Sequence, residues 1–164
     1  MNQPIHTISI LVANKPGVLV RVALVFARRG YNIDSLVVSA TVNPKFSRMT
    51  ITAKGSPETL DQIIKNVSKL VDVIHASEHD SSQSIDRELA LIKTKDTLAV
   101  KAAIAKHSKK FHAKIVDATD KTLIIAQSGT TVELDEFEAI LKKLGVTEYV
   151  RSGKLLMARG REET

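Results

Sequence analysis

The sequence contains no cysteine and no tryptophan, and aromatic residues make up only 4% of it. Without cysteine the chain forms neither disulfides nor thiolate metal sites, a composition that suits a reducing cytoplasm. No apolar run approaches the ~18 residues of a membrane span. The first four residues, MNQP, lack the basic and apolar regions of a signal peptide. We therefore expect a cytoplasmic protein without a leader.

The chain also lacks a concentrated charge of one sign. Of the net charge of +6, residues 1–80 and residues 81–164 carry +3 each, with acidic residues interleaved throughout. An even excess of this kind indicates a solvated basic surface more than a nucleic-acid footprint. Apolar residues make up 43% of the 164, enough for a packed aliphatic core in one domain or in two small ones.

The periodicity of the first half predicts six elements. Alternating or continuous apolar residues predict strands, and apolar residues at helical spacing predict helices. A helix begins at Val18 and ends at Gly30, and Ser56-Pro57 is a typical helix start. The predicted order is β-α-β-β-α-β, with strands at 5–12, 33–42, 46–53 and 71–76.

The second half repeats this order. We predict strands at 88–93, 111–118, 122–128 and 146–158, and helices at 97–107 and 134–144. The polar residues 79–84 lack periodicity and form the predicted boundary. The predicted fold class is therefore α+β, with two ferredoxin-like βαββαβ domains at 1–78 and 85–164 joined by a linker at 79–84.

The turn before the first helix is the first candidate binding element. A helix N-terminus presents unpaired N–H groups and a partial positive charge, which together attract a carboxylate. Gly17 has no side chain, so a ligand can approach those groups closely. Asn14 either caps the helix, which is the more common use of such a residue, or contacts the ligand.

The start of the next strand is the second candidate element. Asn32 follows the end of the helix, and its amide oxygen can accept a hydrogen bond from an ammonium group. Val18, Leu19 and Ile33 supply an aliphatic wall. The combination predicts a pocket for a small aliphatic amino acid, although each residue alone has an ordinary structural use.

Other chemistry lacks support in the sequence. The turn has one glycine where a dinucleotide fingerprint needs three, and neither a phosphate loop nor a Gly-x-Ser-x-Gly elbow is present. The histidine pairs do not align at metal-ligand spacing. The acids at 133–138 open a helix, where the helix dipole explains them. We therefore expect neither a catalytic nor a metal site in this chain.

Six stretches resemble a known family, in order and nearly end to end. They are NKPGVLVRV at 14–22, RGYNIDSL at 29–36, SRMTI at 47–51, KLVDVI at 69–74, RELALIK at 87–93 and RSGKLLMARG at 151–160. The first domain resembles an ACT domain, an amino-acid-binding ferredoxin-like module. The whole chain resembles the small regulatory subunits of acetohydroxyacid synthase, also called acetolactate synthase.

The resemblance implies a regulatory role in branched-chain amino-acid biosynthesis. Family members form homodimers through their ACT domains and bind valine, or in some members leucine or isoleucine, as feedback inhibitor at that interface. The catalytic large subunit holds thiamine diphosphate, a divalent metal and FAD. The small subunit raises its activity and makes it sensitive to inhibition. The implied chain is itself non-catalytic and without a cofactor.

The resemblance also implies how the site residues divide between two protomers. The helix-start group (Asn14, Gly17, Val18, Leu19) would hold the carboxylate side in one protomer. The strand-start group (Asn32, Ile33) would come from the other. Val18 stands where a smaller alanine is frequent in the family, which narrows the implied pocket.

Two other functions remain open from the residues. A ferredoxin-like sheet can stack nucleic-acid bases, and the net charge is positive, although aromatic residues are scarce. A small stand-alone enzyme would have to turn over substrate without any recognisable catalytic motif. Salt-dependent oligonucleotide binding and turnover of pyruvate by the pure chain would separate these alternatives from a regulatory subunit.

Overall fold

The computed structural model describes residues 4–161 and 164. The strands are β1 (Ile5–Ala13), β2 (Ile33–Ala40), β3 (Phe46–Lys54), β4 (Val73–Glu78), β5 (Ser84–Lys95), β6 (Ala113–Ala118), β7 (Thr122–Gly129), β8 (Val146–Arg151) and β9 (Leu155–Ala158). The helices are α1 (Val18–Arg28), α2 (Pro57–Val67), α3 (Leu98–Phe111) and α4 (Thr131–Lys142). Within these described residues, each helix is too short or too polar to cross a membrane.

The chain forms two compact units. Among the described residues, unit 1 comprises those up to Asp86 together with those from Lys154 onward, and unit 2 comprises Arg87–Gly153. The sequence predicts that all of 85–164 lies in the second domain, whereas the described residues among 154–164 cluster with unit 1. The reason is local pairing, because Lys154 contacts Asp86 at 3.2 Å and the Arg159 N–H donates to the Gln83 carbonyl oxygen at 2.8 Å.

Unit 1 contains an antiparallel four-stranded sheet in the order β2-β3-β1-β4. Alternate residues of β1 and β3 point to one face, where α1 and α2 bury them. The core comprises Ile8, Ile10, Val12, Val18, Val22, Phe26, Met49, Ile51, Ala53, Leu60, Ile63 and Val67. The central strands β1 and β3 thus supply most of the sheet's share of the core, and β2 and β4 form its edges.

Unit 2 repeats the plan with its own core. Its sheet has the order β6-β7-β5-β8. Phe111 and Phe137 are fully buried with ring centroids 5.2 Å apart, and Ile92, Leu123 and Ile125 contribute from the sheet. The predicted class of two ferredoxin-like βαββαβ domains is confirmed.

Several boundaries in unit 2 differ from the predicted ones. Strand β5 spans Ser84–Lys95 where 88–93 was predicted, and so begins within the predicted linker. The helix predicted at 97–107 continues to Phe111, the first residue of the strand predicted at 111–118. Phe111 lies three helical turns beyond Val100 and packs on the same face, and His112 then ends the helix with φ 49°. The helix predicted at 134–144 begins earlier, at Thr131, because a capping box precedes it.

That capping box supports a stability prediction. The Thr130 hydroxyl accepts from the Glu133 N–H at 3.3 Å, and the Glu133 carboxylate accepts from the Thr130 N–H at 2.8 Å. This backbone hydrogen bond lowers the pKa of Glu133. Thr130→Ala should cost about 1 kcal/mol of unfolding free energy in urea titrations, because one N–H loses its acceptor. Thr130→Ser keeps the hydroxyl and should lose much less, so equal losses would contradict the capping role.

Candidate functional site

The N-terminus of α1 is open. Gly17 occupies the N-cap position with φ 82° and ψ −10°, and no side chain caps the helix. By contrast, Ser56, Thr97 and Thr130 accept hydrogen bonds at the starts of α2, α3 and α4. Among the four helices in the described part of the chain, α1 alone therefore leaves its first N–H groups without a side-chain cap. A bound anion can satisfy them.

Asn14 holds the turn in place rather than capping the helix. Its Nδ2 donates to the Pro44 carbonyl oxygen at 3.0 Å, and its backbone N–H donates to the Lys45 carbonyl oxygen at 2.8 Å. The capping use considered from the sequence is therefore wrong. The side chain remains exposed, beside the open helix start. Its contacts fix the turn against the β2–β3 connection and so fix where Gly17 lies.

Arg21 places a positive charge beside the open start of the helix. A Cβ atom on Gly17 would lie 3.2 Å from Arg21 Nη1, so the guanidinium borders the open helix start. Arg21 Nη2 contacts Asp72 Oδ2 at 2.5 Å. The signal in the sequence was the spacing, since residues four apart are neighbours on a helix. A ligand carboxylate at this position would meet both N–H groups and a cation.

The aliphatic wall expected from the helix-start group is only partly present. The Val18 side chain is 3% exposed and belongs to the core, so it cannot line a pocket. Only its backbone is available at the helix start. Leu19 is 42% exposed on the outside of α1, and Val20 is 60% exposed beside it. The apolar contribution on this side therefore comes from Leu19 and its neighbour.

The strand-start group borders an open cleft of about 480 Å³. Its lining comprises Gly30, Tyr31, Asn32, Asp34, Lys54, Gly55 and Thr59. Asn32 is exposed, and its Nδ2 donates to Asp34 Oδ1 at 3.2 Å. Ile33 is half-buried and packs against the core. The cleft is thus polar and carries one carboxylate.

Within one chain, the structure does not bring the two groups together. They flank opposite ends of α1, whose 11 residues make it about 16 Å long. That distance exceeds the length of any single amino acid. A ligand that contacts both groups must therefore lie between two chains.

Strand β2 offers a surface for such an assembly. It is an edge strand that pairs on one side with β3. Leu36 and Val37 are half-buried, and Val38 is 41% exposed. An edge with apolar side chains and unpaired backbone groups is a template for pairing with another chain.

Comparisons with known proteins point to one family over nearly the whole chain. A family model described as the AHAS small subunit-like ACT domain matches residues 8–75. A second, described as the small subunit of acetolactate synthase, matches residues 87–160. The acetolactate synthase small subunit of Mycolicibacterium smegmatis is 41% identical over 157 residues, which cover 96% of this chain and 92% of the relative.

Two further comparisons extend this result. The acetolactate synthase small subunit of Mycobacterium bovis is 38% identical over 98% of this chain and 95% of its own length. The crystal structure of the acetolactate synthase small subunit from Thermotoga maritima matches with a TM-score of 0.84 and 35% identity. That match covers 97% of this chain and 99% of the other, so both the sequence and the fold are shared over nearly full length.

Proposed function

The chain belongs to the acetolactate synthase small-subunit family, and we propose that it is a regulatory subunit that binds a branched-chain amino acid between two copies of itself. The observation that carries the proposal is the open start of α1. Gly17 is left-handed there, no side chain caps the helix, and Arg21 lies alongside. These features suit the carboxylate of an amino acid. We propose valine first as the effector, with leucine and isoleucine as the alternatives.

The proposed dimer pairs the β2 edges about a two-fold axis. Pairing of this kind covers exposed apolar side chains such as Val38 and satisfies unpaired backbone groups. The helix-start group of one chain would then complete the strand-start group of the other. Helix α1 is about 16 Å long, at about 1.5 Å per residue over its 11 residues. This length supports a site shared by two chains over a site within one chain.

The proposed partner is a catalytic large subunit. It would hold thiamine diphosphate, a divalent metal and FAD, and would perform the condensation of 2-ketoacids in the cytoplasm. This chain would raise the partner's activity and make it sensitive to the amino acid. The mechanism is differential binding, because an effector shifts an equilibrium only by binding one arrangement more tightly than the other. The small subunit would contribute neither a catalytic residue nor a cofactor.

A titration tests the effector site. Valine, leucine and isoleucine are titrated into the purified chain by calorimetry, and activity is then measured after addition of the catalytic subunit. Asn32→Ala should weaken effector binding about ten-fold, because a hydrogen bond to a charged group is lost. The Asn32 side chain is exposed, so the fold should survive.

The matched control is Asn66→Ala. The Asn66 side chain is half-buried and donates locally, to the Gln62 carbonyl oxygen at 2.7 Å within α2. Its replacement should leave the affinity unchanged. Equal affinity in the Asn32 and Asn66 variants would contradict the site assignment. A wild-type chain that binds none of the three amino acids, but binds a random oligonucleotide in a salt-dependent way, would overturn the proposed function.

A further inference from the structure

The cleft beside Asn32 contains a carboxylate for which the function proposed above gives no role. Asp34 lies in β2 at a β-bulge, since the register with β3 passes from Ile33 opposite Ala53 directly to Ser35 opposite Thr52. Asp34 is therefore the extra residue. A bulge interrupts strand pairing and redirects one side chain, and such bulges are frequent beside binding sites. Here the redirected side chain lines the cleft.

The partners of Asp34 leave its second oxygen loosely held. Asn32 Nδ2 donates to Oδ1 at 3.2 Å. Lys54 Nζ lies 4.0 Å from Oδ2, with the Lys54 and Asp34 side chains 56% and 30% exposed. An exposed ion pair at this separation contributes little to stability. By comparison, Lys65 and Asp61 in the same unit approach to 2.6 Å.

We propose that Asp34 binds the ammonium group of the effector, which displaces Lys54 from Oδ2. This inference rests on the proposed amino-acid-binding function and names a residue for the second half of the ligand. The ammonium group has three N–H donors, and the carboxylate is an acceptor with a full negative charge. Because Asn32 Nδ2 donates to Asp34, the Oδ1 of Asn32 serves as a second acceptor for the ammonium group.

The arrangement gives the site opposite charges at its two ends. Arg21 borders the helix-start group in one protomer, and Asp34 borders the strand-start group. Each already has a counter-charge within its own chain, Asp72 for Arg21 and Lys54 for Asp34. The ammonium group of a zwitterion replaces the looser of these two contacts, which is the one between Lys54 and Asp34. Ligands that lack an ammonium group cannot do so, and the site therefore selects amino acids over the corresponding hydroxy acids.

The test compares two ligands and four variants of the full chain by calorimetry. Asp34→Asn removes the charge, while its Oδ1 can still accept from Asn32. Valine affinity should fall about ten-fold, and affinity for 2-hydroxy-3-methylbutyrate should change less than about two-fold. Asp34→Glu retains the carboxylate and should recover most of the affinity. Lys54→Gln removes the competing cation and should raise valine affinity a few-fold. Lys65→Gln serves as the control and should change nothing.

The opposite changes in valine affinity expected for Asp34→Asn and Lys54→Gln distinguish a binding role of Asp34 from a purely structural one. A purely structural ion pair would make Asp34→Asn and Lys54→Gln alike, with equal losses in thermal stability and no selectivity between the two ligands. That result, or unchanged valine affinity in Asp34→Asn, would overturn the inference and leave the proposed function standing. A wild-type chain that binds none of valine, leucine and isoleucine would overturn both.

Discussion

Gly17→Asp should lower effector affinity by about a hundred-fold or more while the chain still folds, because the new carboxylate takes the place of the ligand's. Gly17 is the N-cap of a helix without a side-chain cap, and its φ of 82° is left-handed. Aspartate and asparagine tolerate this conformation better than other non-glycine residues. The expected cost in stability is about 1–2 kcal/mol, the penalty for left-handed backbone in an L-residue.

The surroundings of Gly17 explain why binding should suffer more than folding. The new Cβ would lie 3.2 Å from Arg21 Nη1, which is the end of a flexible side chain and can move. The aspartate carboxylate would then pair with Arg21 and accept from the open N–H groups of α1. The carboxylate of Asp in this variant therefore permanently occupies the position proposed for the ligand's carboxylate. Like-charge repulsion would further oppose an incoming amino acid.

Two variants separate charge from backbone strain. Gly17→Ala introduces the left-handed strain without a charge and should bind more tightly than Gly17→Asp. Gly145→Asp repeats the substitution in unit 2, at φ 99° with nothing within 4 Å of the new Cβ, and should leave affinity unchanged. Calorimetric titration of valine measures all three. Wild-type affinity in Gly17→Asp would rule out the start of α1 as the carboxylate position.

The order of elements could be predicted because the core follows simple periods. In β1, Ile8, Ile10 and Val12 alternate on one face, and in α1 Val18, Val22 and Phe26 recur at a spacing of four. Both signals are local and depend only on which face is buried. The boundaries of the elements were harder to predict. The mostly polar residues between Ile104 and Phe111 interrupt the apolar pattern before the last turn of α3.

The candidate site was only partly predictable, for a related reason. Gly17 could be found because a strand-to-helix turn needs a residue without a side chain. The Asn14 contact with Pro44 joins residues thirty positions apart, and the Arg21 contact with Asp72 spans fifty-one. The bulge at Asp34 depends on how β2 pairs with β3. A single sequence does not encode such pairings in any local pattern.

Arg151→Met should destabilise unit 2 by about 3–5 kcal/mol, the usual cost of leaving a buried charge without its partner. Arg151 Nε contacts Glu88 Oε2 at 2.6 Å, and Nη1 contacts Asp135 Oδ1 at 2.7 Å. The Glu88 side chain is only 5% exposed, and its other oxygen accepts from the Thr131 hydroxyl. The network therefore joins β5, β8 and the first turn of α4.

The ionisation of Arg151 fits this arrangement. Burial alone would lower its pKa, but hydrogen bonding to Asp135 and the charge of Glu88 outweigh burial, and the pKa is raised. The guanidinium is thus charged at neutral pH. Its loss would leave Glu88 with the Thr131 hydroxyl as its remaining partner in this network. Methionine keeps the apolar part of the arginine side chain. The loss of stability in Arg151→Met therefore measures the charge and its hydrogen bonds more than packing.

Urea unfolding, with hydrogen exchange at Ile92 and Ile125 to localise the effect in unit 2, measures the change. Lys93→Met is the matched control, because Lys93 and Glu148 form a 2.9 Å pair between the same two strands with side chains 40% and 59% exposed. That exposed pair should contribute less than about 1 kcal/mol. Adding Glu88→Gln to Arg151→Met removes the stranded charge and should restore part of the stability. A double variant less stable than Arg151→Met alone would mean that Glu88 stabilises unit 2 without Arg151, and the network would then not act as a unit.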